Sequence, residues 1–355
     1  MSGTSPPRVL VLRALGLGDL LAGVPALRGI RRAFPGHRVV LALPAALTEA
    51  ALATGAVDAV LPAEAPGRGV PPLTGWPDGP PDVGIDLHGN GPQSRDALAA
   101  LAPRRLLAYA GSGPSPARPP VWRPDEHERD RWCGFLAAHG IDADPDDVRL
   151  PVPATASPAP GAVVVHPGAE SAARRWPADR FAALVRRLRG AGHRVVVTGG
   201  PKEDELVREV ARRAGLPAGD ELRGGLPFAE LSALVAHAPL LVSGDTGLAH
   251  LAVAHATPSV TLYGPVSPRL WGPPPLERHV ALWTPGPPGD PHGDRPDPQL
   301  LRIGVAEAAG AALTLLGPRG RGTLPASGFP RYPAETRSVA TGPTRADVGN
   351  AVRRC

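Results

Sequence analysis

The chain has 355 residues, enough for two ordinary domains that each bury a core. Its formal charge of +5 suggests a polyanionic partner, but residues 318–355 hold seven arginines against Glu335 and Asp347, which accounts for the whole excess. The rest of the chain is neutral overall, so no nucleic acid is expected as partner, and the two cysteines, Cys133 and Cys355, supply neither a disulfide framework nor metal-ligand spacing.

Residues 8–13 form a short apolar run of the kind buried in a parallel sheet, and they lead through Gly16-Leu17-Gly18-Asp19 into Leu20, Leu21, Val24, Leu27 and Ile30 at helical spacing. Pro25 lies inside that pattern, so the helix should kink or restart there. A second strand is expected over 38–43, a helix over 44–54, a third strand over 59–61 and a fourth over 83–87. This alternation predicts a doubly wound α/β domain.

Around 145–160 prolines at 145, 151, 153, 158 and 160 interrupt any periodicity, which reads as a linker. The alternation then restarts, with a strand at 162–165, helix 178–189, strand 194–198, helix 202–214, strand 239–242 and an alanine-rich helix after Gly247. A last helix is expected over 305–316. The expected organisation is an N-terminal domain over 1–150, a linker over 151–160, a C-terminal domain over 161–317 and a disordered tail over 318–355.

The early apolar run is broken by Arg13 and Asp19 and so does not read as a signal peptide. No stretch reaches the roughly 20 apolar residues of a membrane span. The expected location is the cytoplasm, and no protein-held metal is expected because the histidines show no ligand spacing.

In two-domain α/β proteins, ligands sit where strand C-termini open into a crevice. Asp19 lies at such a mouth, where a carboxylate acts either as a helix cap or as a general base. Arg174 and Arg175 precede Trp176-Pro177, and an arginine there can grip a diphosphate and stabilise it as it departs. Ser243-Gly244-Asp245-Thr246-Gly247 runs from strand to helix and offers amides and a helix dipole to an anion. Asp245 either caps that helix or serves sugar hydroxyls, and His250 either faces the turn or packs inside. After the fourth strand, His88 and Asn90 either offer polar groups to an acceptor or are the ordinary polarity of a loop. The Gly16-Leu17-Gly18 turn lacks the third glycine of a dinucleotide fingerprint, which leaves a nicotinamide-dependent reductase poorly supported.

Leu17-Gly18-Asp19-Leu20-Leu21 with Pro25-Ala26-Leu27, His166-Pro167-Gly168-Ala169 with Arg174-Arg175-Trp176-Pro177, and Ser243 through His250 resemble the ADP-heptose:lipopolysaccharide heptosyltransferase family, glycosyltransferase family 9. The resemblance runs in order over 8–316. It implies a GT-B fold, two Rossmann-like α/β domains facing each other across a cleft, and an inverting, metal-independent glycosyl transfer without cofactor.

By that resemblance Asp19 is the catalytic base, and Arg174 stands where the family commonly has a lysine on the donor phosphate. Gly18, His166, Gly168, Arg175, Glu203, Asp245, Thr246, Gly247 and His250 fall on the donor side, while His88 and Asn90 are acceptor-side candidates from their place after the fourth strand alone. The implied partners are an ADP-sugar and a glycan or glycolipid acceptor, for a monomer that contacts the cytoplasmic membrane peripherally. A sugar-nucleotide epimerase and a non-catalytic sugar-nucleotide-binding protein are the alternative readings.

Overall fold

A computed structural model describes residues 6–77, 79–109 and 120–317. The expected tail from 318 to 355 lies outside the described residues.

In the N-terminal half, β1 (Arg8–Leu12), β2 (Arg38–Leu43), β3 (Ala59–Pro62), β4 (Val83–Asp86) and β5 (Arg105–Leu107) form one sheet in the order β3-β2-β1-β4-β5. All four pairings are parallel. Val9, Leu10, Val11 and Leu12 have no exposed surface, as expected of a central strand covered on both faces. The helix predicted after β1 is divided at Gly23 into Leu17–Ala22 and Val24–Ala33. Pro25 stands in the first turn of the second piece, where its missing N–H leaves no helical bond unmade.

The C-terminal half has β6 (Val163–His166), β7 (Val195–Thr198), β8 (Glu221–Leu222), β9 (Leu241–Gly244), β10 (Ser259–Leu262) and β11 (His279–Leu282). Their order is β11-β10-β9-β6-β7-β8, again parallel throughout. The valine runs of β6 and β7 are wholly buried, and the helices Ala178–Gly190 and Val305–Leu316 cover one face of this sheet.

Each sheet reverses its winding direction once, between β1 and β4 in the first and between β6 and β9 in the second. Such switch points open a crevice at the strand C-termini. β1 leads through a short loop into the helix that carries Asp19, and the other three strands end at or just before His88, His166 and Asp245.

The halves meet along an apolar seam. Leu21 and Val24 pack in one cluster with Leu234, Val235, Leu248 and Leu251 from the other half. Helix Leu17–Ala22 lies against helix Gly247–His255 so closely that a Cβ on Gly247 would stand 3.0 Å from Leu17 Cβ and 3.2 Å from the Gly18 nitrogen. Polar ties join the same halves. The Leu150 N–H donates to Ala254 O at 3.0 Å, the Ala229 N–H donates to Glu49 Oε1 at 3.2 Å, and His127 Nε2 lies 3.1 Å from Gly272 O. The proline-rich segment between the halves carries no helix or strand, yet Leu150 and Ala159 are buried in the seam, which anchors it at two points.

Candidate active site

Asp19 occupies the third position of helix Leu17–Ala22, and its Oδ2 accepts the Gly16 N–H at 3.2 Å. The capping role and a chemical role are therefore compatible, because Oδ1 faces the site and is met by Arg68 Nη2 at 2.7 Å. The Asp19 backbone is fixed from below by Arg13, which is 1% exposed. Arg13 Nε donates to Asp19 O at 2.8 Å, Nη1 to Leu87 O at 2.6 Å and Nη2 to Glu128 Oε1 at 2.9 Å. Glu128 also accepts from Trp132 Nε1 at 2.7 Å and from Arg131, so the buried charges are paired. Burial acts to raise the Asp19 pKa, but Arg13 and Arg68 together outweigh it and hold the carboxyl below its ordinary value.

Beyond β4, Asp86 is buried and its carboxylate accepts Ser94 Oγ at 2.6 Å and the His88 N–H at 3.0 Å. Burial pushes its pKa up to about 6 in spite of those bonds. Burial and the neighbouring Arg13 lower the His88 pKa, against a hydrogen bond with the Arg68 backbone that favours the charged ring, and its Nδ1 is buried without a protein partner. Asn90 is exposed on the same loop.

Across the seam, β9 delivers Asp245 and then Thr246, which is the N-cap of helix Gly247–His255. Thr246, one residue later than the expected Asp245, takes the cap position. Its Oγ1 makes no capping bond and is buried without a partner. Asp245 is 7% exposed, and burial pushes its pKa up to about 6, offset in part by Arg174 and reinforced by the charge of Asp19. That last effect shows the two carboxylates to be electrostatic neighbours.

Arg174 ends the short turn Ala172–Arg174. Its Nη1 lies 3.4 Å from Asp245 O and 4.0 Å from Asp245 Oδ2, and Nη2 lies 3.4 Å from Glu170 Oε2. Its Nε is buried and unpartnered. Gly244 lets this loop approach, since a Cβ there would stand 2.8 Å from Arg174 O. Arg175 turns back on its own loop and donates from Nε to Ala169 O at 2.8 Å, so it shapes the loop that carries Arg174.

His166 Nδ1 bonds Thr198 O at 2.9 Å, while its Nε2 stands 3.9 Å from Glu203 Oε2. Glu203 accepts the Gly200 N–H at 2.8 Å, and a Cβ on Gly168 would fall 2.1 Å from its carboxylate. Gly168 and Glu203 thus form one close-packed corner at the end of β6 and β7. His250 faces the seam: a Cβ on Gly18 would stand 3.2 Å from its ring, and Trp271 meets it edge-on with centroids 6.1 Å apart. Burial, with Arg129 nearby, pushes its pKa down to about 4, so the ring is neutral at physiological pH.

The structure therefore brings Asp19, Arg174, Asp245, Thr246, Gly247 and His250 to one place, with His88 on its N-terminal flank and the Glu203 corner on its C-terminal flank. The sequence reading passed over Arg68, Glu170, Arg13 and Asp86. Arg68 lies 49 residues from its partner Asp19, in a proline- and glycine-rich stretch with no motif around it. Among the described residues no group of three His, Cys, Asp or Glu side chains gathers as metal ligands, and no helix is long and apolar enough to cross a membrane.

Two parallel, Rossmann-like sheets whose switch points meet at one seam define a GT-B architecture. Solved structures agree on the fold. A glycosyl transferase family 9 protein from Veillonella parvula superposes with a TM-score of 0.68 at 19% identity, covering 87% of this chain and 97% of that one. The ADP-heptose lipopolysaccharide heptosyltransferase II of Escherichia coli gives 0.66 at 20% identity, covering 87% and 98%.

Residues 149–287 match the family model "Glycosyltransferase family 9 (heptosyltransferase)". The same region is similar to curated proteins. It is 36% identical over 113 residues to lipopolysaccharide heptosyltransferase 3 of Escherichia coli, which is 31% of this chain and 33% of that protein. It is 36% identical over 115 residues to lipooligosaccharide heptosyltransferase 2 of Haemophilus influenzae, 30% and 32% of the respective chains. The match thus spans about a third of the length of these relatives. The family resemblance read from the motifs is borne out over residues 149–287, which match the model of glycosyltransferase family 9.

Proposed function

We propose that this protein is an inverting glycosyltransferase that moves a heptose-like sugar from a nucleoside-diphosphate donor, with ADP favoured, to a hydroxyl of a glycan or glycolipid. The observation that carries this reading is the pair of buried, unpartnered donors Arg174 Nε and Thr246 Oγ1, set beside a helix start and opposite Asp19. Buried polar atoms left without partners are costly unless a ligand completes them. A diphosphate would accept from both, and the helix start would favour its charge.

The roles follow from position. Asp19 takes the proton of the acceptor hydroxyl, whose oxygen bonds to the anomeric carbon of the donor while the bond from that carbon to the phosphate oxygen breaks. Charge then builds on the departing diphosphate, and Arg174 with the first turn of helix Gly247–His255 is placed to stabilise it. That stabilisation comes from protein groups, which is why the proposal includes neither metal nor cofactor. Asp245 and the neutral His250 are suited to sugar hydroxyls, and the Glu203 corner to the ribose. His88 and Asn90 border the acceptor side. The names of the curated relatives, lipopolysaccharide heptosyltransferases, make a lipid-linked glycan of the cell envelope the first acceptor to try. Action at the cytoplasmic face of the membrane follows from such an acceptor.

The test is Asp19→Asn. Transfer from ADP-heptose is expected to fall by about 10²–10⁴-fold, the usual contribution of a general base, while ADP affinity measured by calorimetry stays within a few-fold of the parent. Full activity in this variant would remove Asp19 as the base. A panel of ADP-, GDP- and UDP-sugars in a thermal-shift assay identifies the donor, because a ligand at a hundred times its Kd adds about 2.7 kcal/mol of stability. Conversion of the donor without acceptor to an epimer would replace the transferase reading with the epimerase one.

A further inference from the structure

Arg68 is in an awkward place for a site that needs Asp19 as a base. Burial raises the Asp19 pKa, and Arg13 already opposes that before Arg68 adds to it. What Arg68 does is lower the basicity of the group and occupy Oδ1, at 2.7 Å. The other charged or titratable groups around Asp19 are Arg13 below it, His88 beyond β4, and Asp245 and His250 across the seam. Of the two arginines, Arg13 reaches only the Asp19 backbone oxygen, so Arg68 alone grips the carboxylate.

The segment that presents Arg68 is built as a separate element. It is the single turn Pro66–Arg68, and both Gly67 (φ 61°) and Arg68 (φ 60°) are in the left-handed region. A non-glycine residue held there is strained, and such strain marks positions with an alternative conformation available. The Arg68 side chain is 32% exposed, so it can swing off Asp19 without crossing the core. Its other nitrogen, Nη1, lies 3.8 Å from Glu170 Oε2, the carboxylate oxygen that Arg174 Nη2 also approaches at 3.4 Å.

We propose that Arg68 is a positioning residue that caps Asp19 in the resting site, suppresses hydrolysis of a bound donor, and leaves when the acceptor arrives. This rests on the glycosyltransferase reading above. Without the cap, Asp19 could take a proton from water. The water oxygen would bond to the anomeric carbon, the carbon–phosphate-oxygen bond would break, and the nucleoside diphosphate would depart with the electron pair. A donor diphosphate that draws Arg174 to itself leaves Glu170 to Arg68 alone, which keeps the cap seated while only donor is bound. The acceptor hydroxyl then takes the Asp19 oxygen that Arg68 gives up.

Two measurements on the full chain test this. In the first, Asp19 is titrated by carbon-13 NMR, with Asp19→Asn assigning the signal. The midpoint is expected to rise in Arg68→Gln, where the charge is lost, and to move much less in Arg68→Lys, where it is kept. An unmoved midpoint in Arg68→Gln overturns the cap whatever reaction the protein performs. In the second, ADP release from ADP-heptose is followed without acceptor. It is expected to be at least about fivefold faster in Arg68→Gln than in the parent, within the range of general-base effects, and to fall below the parent when Asp19→Asn is added. Release no faster than the parent, including no release by any variant, overturns the proposal. Calorimetry of the parent with ADP separates the two failures: absent ADP binding sinks the donor-site reading, whereas the NMR result tests the cap independently.

Discussion

At the scale of single residues the site holds its charges at a cost, and Asp245 shows it most clearly. Its pKa is raised from 3.8 to about 6 because burial disfavours the ionised form more than Arg174 favours it. The folded state therefore binds the proton more tightly than the unfolded chain does. The associated stability is present at low pH and is lost as pH rises from 3.8 through 6. A displacement of this size corresponds to a penalty on the order of 2–3 kcal/mol at pH 7.5. Asp245→Asn should therefore stabilise the unliganded protein at pH 7.5 and by roughly half as much at pH 5, where the unfolded carboxyl is already ionised, as urea unfolding at the two pH values would show. The same variant should bind ADP-sugar more weakly than the parent. Unchanged binding would take Asp245 out of the donor site and leave its burial without a functional account.

Among the elements, the decisive contact is that of the two helices whose first turns carry Asp19 and follow Asp245. Gly247→Ala would place a Cβ 3.0 Å from Leu17 Cβ and 3.2 Å from the Gly18 nitrogen, and the second of these is backbone that cannot turn aside. The seam must give by a few tenths of an ångström, at a cost of about 1–3 kcal/mol, and transfer should fall, by less than the roughly 10²-fold that a full ångström of misplacement costs. Gly310→Ala is the control. It lies inside helix Val305–Leu316 with nothing within 4 Å of the added Cβ, and should stabilise by about 0.5–1 kcal/mol. Equal behaviour of the two variants in unfolding and transfer assays would deny the seam its role.

The same elements show what the sequence could reveal. Strands such as Arg38–Leu43 and helices such as Val305–Leu316 coincide with their expected bounds, because a two-sided buried strand and a capped amphipathic helix each leave a continuous local pattern. The shortest edge strands do not: β8 has two residues, and β5 has three of which one is buried. Helix Glu128–Ala138 was also unread, since its buried face includes Glu128 and Arg131 and breaks the apolar stripe. Asp19, Arg174 and Asp245 were legible because a strand-to-helix turn has a recognisable local form. Arg68, Glu170 and Arg13 act through partners distant in sequence or through backbone oxygens, and neither leaves a spacing to read.

The whole molecule adds an acid response that no single site determines. His250, His255 and His279 are each pushed from 6.5 down to about 4, chiefly by burial, so between those values the unfolded chain holds up to three protons that the folded protein refuses. That makes stability fall as pH falls. Asp86 and Asp245 oppose this, since between 3.8 and about 6 the folded protein holds up to two protons on them that the unfolded chain has released, and the raised Glu126 acts in the same sense. The histidines win by about one proton near pH 5, which sets a slope of about 1 kcal/mol per pH unit. His88, His127, His139 and His166 are lowered in the same direction and steepen it. Asp19, Asp58 and Asp147 act only below 3.8, where their stabilisation is lost as pH falls through their depressed values. Urea unfolding at pH 6.5, 5.5 and 4.5 should therefore show a falling midpoint with a constant slope in denaturant. Asp86→Asn removes one opposing carboxylate, so its stability should fall with acid more steeply than the parent's by close to one further proton. A parent whose midpoint is flat over this range would mean that the carboxylates, not the histidines, govern its response to acid.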